Sequence, residues 1–321
     1  MKLKVFLCLC GLTIVSSIVQ AMPIPFNLNV QAPTDKSAFS TKWMSFGEKV
    51  ADLTQRIVSK GHITDVGQAQ MQIHFPKDWT PTDKRAALLV FPGGGYSCQA
   101  IDKESVKVAE WAAGLGMIGV AVKYRVSEKH DELGQFPGPL LDARLAVRLI
   151  RQNASKLGVD ASKIGVAGFS AGGHLAGMSA TLSHVTFAHE SKDLGNSAAH
   201  RPNFALLIYP VISMDDGVTH IGTRNKILGR NPSEKLKQTC SVEKQVSSEC
   251  PRIFLVHAKN DPISCKNSLL MEAACKKANV PVELHLYPNG GHGYGMEKRG
   301  AATDAWPQAA EKWLKKNKIV F

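Results

Sequence analysis

After its N-terminus the sequence has no stretch of about 20 apolar residues, the length a helix needs to cross a bilayer, so no stable membrane span is expected there. It has no fixed-period repeat and no low-complexity tract, which argues against solenoids and arrays. It has no C-x-x-C pair, and so no cysteine pair that a histidine pair could complete into a zinc site, and no metal site is expected. G-x-x-x-x-G-K-[ST] does not occur, and Gly93-Gly94-Gly95 is not part of a G-x-G-x-x-G run, so that loop lacks the glycine spacings that cradle a nucleotide's phosphates. Basic residues exceed acidic ones, 39 Lys+Arg against 27 Asp+Glu. They are spread along the chain without interleaved aromatics, so no nucleic-acid groove is expected. The excess reads as a solvated basic surface, with weak attraction to acidic polysaccharide or an anionic cell surface as a secondary possibility. What is present is ordinary for a folded protein: 321 residues with 44% hydrophobic content, enough for one large α/β domain or two smaller ones.

Lys2 and Lys4 precede the apolar run Val5 to Val15, and Val19-Gln20-Ala21 follows. A short basic start, a hydrophobic stretch and a small residue describe a secretory leader over residues 1–21, cleaved near Ala21, so a secreted or periplasmic protein is expected. A retained anchor is the alternative, disfavoured because Gly11, Thr13, Ser16 and Ser17 break the run. Of seven cysteines, Cys8 and Cys10 would leave with the leader. Cys98, Cys240, Cys250, Cys265 and Cys275 remain, an odd number, so at least one thiol stays unpaired. Cys265 and Cys275 are expected on one helix, roughly 15 Å apart and too far to bridge each other. Cys240–Cys250 is the expected disulfide of an exported chain.

Residues 22–65 are mixed and read as an N-terminal extension. From residue 66 a regular alternation sets in. Met71 to Phe75, Ala86 to Phe91, Met117 to Val126, Ile164 to Phe169, Phe204 to Val211, Ile253 to His257 and Val282 to Tyr287 read as strands. Helices are expected at Ser105 to Leu115, Leu140 to Leu157, from Ser170 onward, Ser268 to Ala278 and Asp304 to Lys316. Nearly continuous apolar strands alternating with amphipathic helices imply an α/β fold, a mostly parallel sheet covered by helices on both faces. Residues 212–250 are polar and irregular, and read as an excursion over the carboxyl ends of the strands, where ligands bind in such sheets.

Gly168-Phe169-Ser170-Ala171-Gly172 follows a strand and opens a helix. That context makes G-x-S-x-G a nucleophile turn, with glycines where side chains would clash and a serine thrust above the sheet. The alternative is a turn that only packs or binds phosphate. A serine nucleophile needs a base and an orienting acid, in the order Ser, acid, His, each after a later strand. Asp261 and His292 meet that requirement. His292 would move the serine proton and Asp261 would hold its tautomer. Asp261 could instead be a turn residue before Pro262; Asp215 and Asp216 are rival acids. His257 and His285 lie inside strands and are expected to pack. His174, one turn beyond Ser170, is expected to bond locally, and His220 in the excursion is a candidate for the pocket wall. The backbone N–H groups of Gly94, Gly95 and Ala171 are the expected oxyanion donors.

Pro92-Gly-Gly-Gly-Tyr96, Gly168-Phe-Ser-Ala-Gly-Gly-His174, Asp261 and Gly290-Gly-His-Gly-Tyr294 together resemble α/β-hydrolase-fold carboxylesterases. The chain looks closest to secreted bacterial acetyl esterases with acetylxylan and feruloyl esterase relatives. The resemblance covers roughly residues 65–321. The segment Thr219 to Arg224 also resembles that branch, and Tyr96 and Tyr294 join His220 as candidate pocket residues. The wider group carries His before the three glycines, where this sequence has Pro92. The resemblance implies an α/β-hydrolase fold and a serine esterase that removes short acyl groups, acetyl foremost, from carbohydrates or related alcohols through an acyl-enzyme. It implies no metal or organic cofactor, and as partner a small-molecule or oligosaccharide ester. A serine peptidase of the same fold and a non-catalytic binding protein on a hydrolase scaffold are the alternatives.

Overall fold

Strands form where apolar residues run without a break. The computed structural model describes residues 37–47, 49, 53–128, 134–187 and 197–321; the expected leader and Ala21 lie outside them. Among the described residues there are eleven strands: β1 (Phe39–Ser40), β2 (Met44–Ser45), β3 (Arg56–Ser59), β4 (His62–Thr64), β5 (Gln70–Phe75), β6 (Arg85–Phe91), β7 (Ile118–Lys123), β8 (Val159–Phe169), β9 (Phe204–Ile208), β10 (Arg252–Ala258) and β11 (Val282–Tyr287). Eight α-helices alternate with them: α1 (Lys107–Gly114), α2 (Gly138–Gln152), α3 (Ala171–Thr181), α4 (Ser197–His200), α5 (Ile221–Leu228), α6 (Glu234–Cys240), α7 (Lys266–Lys277) and α8 (Trp306–Lys316).

Nine strands form the main sheet, in the order β1-β5-β7-β6-β8-β9-β10-β11, with β2 also paired to β5. The six from β7 to β11 are parallel, and β5 joins β7 antiparallel. β3 and β4 make a separate hairpin. Successive strand residues point to opposite faces, and the two cores divide accordingly. Ala87, Leu89 and Phe91 of β6 and Ile253 and Leu255 of β10 join one core, with Leu140, Leu175 and Met271 from α2, α3 and α7. Leu88 and Val90 of β6 and Phe254 and Val256 of β10 join the other, with Val108 from α1 and Trp306 and Trp313 from α8. A sheet so covered buries both faces, which is why the central strands carry no polar alternation.

Residues 212–250 are more ordered than their sequence suggests. They hold α5, α6 and a 3-10 turn at Val242–Gln245. Ser233 caps α6 by accepting from Leu236 N at 3.2 Å. The expected Cys240–Cys250 disulfide is absent, and all five described cysteines are unpaired. Cys240 closes α6 inside the core, while Cys250 Sγ accepts from Ser247 N within its own turn, at 3.3 Å.

Candidate active site

β8 ends at Phe169 and α3 begins at Ala171, leaving Ser170 alone in the turn. Its φ of 53° and ψ of −117° lie outside the regions most side chains adopt. Ser170 N donates to Ile208 O at 3.1 Å, and Val211 N donates to Ser170 O at 3.1 Å, so the end of neighbouring β9 and the segment after it fix the strained residue. The turn excludes side chains at its flanks. A Cβ on Gly168 would fall 2.0 Å from Gly172 O, and one on Gly172 would fall 2.2 Å from Phe91 O.

Asp261 follows β10 and His292 follows β11, so both loops emerge at the same sheet edge as Ser170. His292 Nε2 lies 2.9 Å from Ser170 Oγ, and Nδ1 lies 2.8 Å from Asp261 Oδ2. A carboxylate only accepts, so Nδ1 carries the proton and Nε2 accepts from the serine hydroxyl. Asp261 Oδ1 accepts from Ile263 N at 2.7 Å, which locks the carboxylate in place. The rival acids face elsewhere: Asp215 pairs with Lys244, and Asp216 with Arg224 and Lys237. Beneath Asp261, His257 is held by Ser268 Oγ at 2.8 Å and Ile263 O at 2.9 Å, and burial depresses its pKa. His285 is half-buried on the edge strand, bonded to Glu283, and its ring packs against the core ring of Phe254, centroids 5.0 Å apart.

The glycine loop after β6 is held without the histidine that Pro92 replaces. Pro92 O accepts from Tyr124 OH at 2.6 Å, and Gly93 N donates to Glu104 Oε2 at 2.8 Å. Ser97 and Cys98 N–H groups both close on Gly94 O at 3.1 Å. The N–H groups of Gly94, Gly95 and Ala171 have no acceptor among the described residues, and so remain available to a ligand.

Three expectations need correction. Tyr96 is fully buried, and its hydroxyl is 2.9 Å from His174 Nδ1. His174 is therefore not bonded locally; its Nε2 donates to Cys240 O at 2.7 Å, and Tyr96 donates to its other nitrogen. Tyr294 is buried as well, edge-on to Tyr209 with ring centroids 4.4 Å apart. Neither tyrosine faces an open pocket. His220 caps α5 by accepting from Thr223 N and Oγ1 at 3.2 and 2.9 Å, which leaves its Nε2 to donate. Burial and the charge of His292 lower its pKa, and Asp261 opposes them, which places it within electrostatic reach of that pair.

The BD-FAE profile matches residues 71–274. The chain belongs to the BD-FAE family. The dienelactone hydrolase family profile also matches its C-terminal part, residues 230–320. Acetylxylan esterase of Xylanibacter ruminicola is 29% identical over 259 residues, covering 79% of this chain and 49% of that protein. The chain thus spans about half the length of that relative. The crystal structure of an acetyl ester-xyloside bifunctional hydrolase from Caldicellulosiruptor lactoaceticus superposes with a TM-score of 0.70 at 35% identity, over 79% of this chain and 90% of that one. Thermogutta terrifontis esterase 2, solved phosphonylated by sarin, superposes with a TM-score of 0.69 at 25% identity, over 84% and 96%. The BD-FAE chain therefore has the α/β-hydrolase fold.

Four residues around the site of this BD-FAE chain escape a reading of motifs. Glu104 and Tyr209 are buried and bonded to each other at 2.9 Å. Asn260 Oδ1 accepts from Gly291 N at 2.9 Å, and Arg299 donates to the carbonyls of His292 and Gly293 at 3.1 and 2.7 Å. Asn260 has a sequence signal, since it stands beside Asp261 in the same turn. Tyr209 has a weaker one, its place at the carboxyl end of a strand. Among the described residues no group of three or more His, Cys, Asp or Glu could hold a metal ion, and no helix is long and apolar enough to cross a membrane.

Proposed function

We propose that this protein is an exported serine esterase that removes short acyl groups, acetyl foremost, from carbohydrates or related alcohols. One observation carries the reading: the unbroken hydrogen-bonded chain from Ser170 through His292 to Asp261 at the mouth of the sheet. His292 takes the Ser170 proton as Oγ attacks the ester carbonyl, and Asp261 stabilises the charged ring. The oxyanion that develops is met by the N–H groups of Gly94, Gly95 and Ala171, each worth roughly 2.7–4 kcal/mol in a dry site. Collapse returns the proton from His292 to the alcohol and leaves Ser170 acylated. Water, activated by the same nitrogen, then releases the carboxylic acid.

The carbohydrate preference is supported by the names of the acetylxylan esterase and acetyl ester-xyloside hydrolase relatives. Export rests on the leader-like residues 1–21. The test is the initial rate on p-nitrophenyl acetate and on acetylated xylan, wild type beside Ser170→Ala. Turnover that vanishes in the variant is expected; turnover that survives refutes the nucleophile.

A further inference from the structure

Behind Ser170 and His292 lies a polar chain that no motif includes. Its centre is Glu104, a carboxylate only 3% exposed. Glu104 sits in a π turn, Asp102–Val106, closed by Val106 N donating to Ile101 O at 3.0 Å. Such widened turns recur at functional sites. Oε2 accepts from Gly93 N at 2.8 Å, and Oε1 accepts from Tyr209 OH at 2.9 Å. Tyr209 OH in turn accepts from Gly295 N at 2.9 Å, three residues after His292. The same turn reaches that loop a second time, where Met296 N donates to Lys103 O at 3.1 Å. Trp306 Nε1 closes the chain by donating to Gly295 O at 2.8 Å. The Tyr209 ring also stands edge-on to His292, centroids 4.8 Å apart.

We propose that Glu104 and Tyr209 form one strut that sets the distance between the oxyanion loop and the histidine loop, making both of them positioning residues for acyl transfer. The strut spans what must be fixed. Gly93 precedes the oxyanion donors Gly94 and Gly95, and a Cβ on Gly93 would fall 2.7 Å from Glu104 Oε2 and 2.9 Å from Ser170 Cβ. Glu104 therefore fills the space where the glycine loop backs onto the nucleophile. A buried carboxylate is costly unless its oxygens are met by donors. Here one donor is the oxyanion loop itself and the other is Tyr209, whose hydroxyl accepts from the histidine loop, so displacing the first loop would strip a partner from the buried charge and displacing the second would strip one from Tyr209. Burial raises the Glu104 pKa, while the Gly93 and Tyr209 donors pull it down.

The inference rests on the esterase reading, so its test carries that reading's control. Glu104→Gln keeps the shape but gives the strut only one acceptor oxygen. Tyr209→Phe keeps the ring against His292 and removes only the hydroxyl. Rates on p-nitrophenyl acetate are expressed per serine titrated by an organophosphonate for the strut variants and wild type, and per mole of protein for wild type beside the Ser170→Ala control. Each single variant is expected to lose roughly 10- to 100-fold in kcat with KM within about threefold, the signature of misplaced rather than missing groups. The double variant is expected to fall no further than the worse single one, as for residues acting through one chain. Losses that multiply, or kcat near wild type with only a lowered melting temperature, would overturn the strut. If Glu104→Gln does not fold, Tyr209→Phe alone decides by the same kcat and KM criteria. Wild type inert on esters, or active after Ser170→Ala, would overturn the esterase reading and the strut with it, and is distinguished because the failure lies in the control.

Discussion

Acid should weaken this protein through a histidine that takes no part in the proposed proton transfers. His174 is fully buried between the Tyr96 hydroxyl and the Cys240 carbonyl, and burial pushes its pKa down to about 4 against the opposing Cys240 bond. An unfolded histidine takes up its proton below about 6.5. Between those two values the unfolded chain binds a proton that the native one refuses, so stability falls as pH drops through the window. At 1.36 kcal/mol for each tenfold change in proton activity, the gap amounts to about 3 kcal/mol, fully present above pH 6.5 and gone below about pH 4. The perturbation is His174→Gln, whose amide can still donate to Cys240 O and accept from Tyr96. The assay is urea unfolding of both proteins from pH 7.5 to 4. Wild type should lose about 3 kcal/mol more than the variant over that range. His74, also pushed to about 4 by burial, and all carboxylates titrate in both proteins and cancel in the difference. Parallel curves would refute the reasoning, because His174 would then carry its proton in both states or in neither.

Three further outcomes are expected. Asp261→Asn should lower kcat on the order of 10³- to 10⁴-fold while leaving the fold intact, because the His292 tautomer is lost; a loss under tenfold in steady-state kinetics would remove Asp261 from its role. Gly172→Ala would put a Cβ 2.2 Å from Phe91 O and 2.4 Å from Pro92 O, costing about 3 kcal/mol or more, and an unchanged calorimetric midpoint would contradict the tightness of the turn. Thiol titration of the unfolded chain, without reductant, should find Cys98, Cys240, Cys250, Cys265 and Cys275 all free; a mass two daltons low would show a disulfide instead.

The parallel strands are legible because both their faces are buried, so hydrophobicity runs unbroken where a half-exposed strand would alternate. Ser170, Asp261 and His292 are legible as a set because each follows a strand in an expected order, and the structure brings their side chains into hydrogen-bonding contact. Their support is not legible. Glu104 stands in Asp102-Lys103-Glu104-Ser105, a run that reads like any solvated helix face, and only the π turn rotates it inward. Tyr96 and His174 are 78 residues apart in sequence, and nothing local announces their bond. α5 and α6 hide for the opposite reason: they are short, and they bury only a few residues each, so they carry no long apolar stripe.

The position of β11 has a consequence for how the molecule comes apart. Among the described residues it is the last strand of the sheet, hydrogen-bonded to β10 alone, and all six of its residues are half-exposed. Strands of this kind open first in native-state fluctuations, at a fraction of the global unfolding free energy. The His292 loop hangs from its end. Sub-global opening at that edge would withdraw the base while the rest of the sheet, and Ser170 with it, stays folded. Local opening of β11, read out by exchange of its amides, rather than cooperative melting of the whole domain, would then set the temperature at which the site stops working.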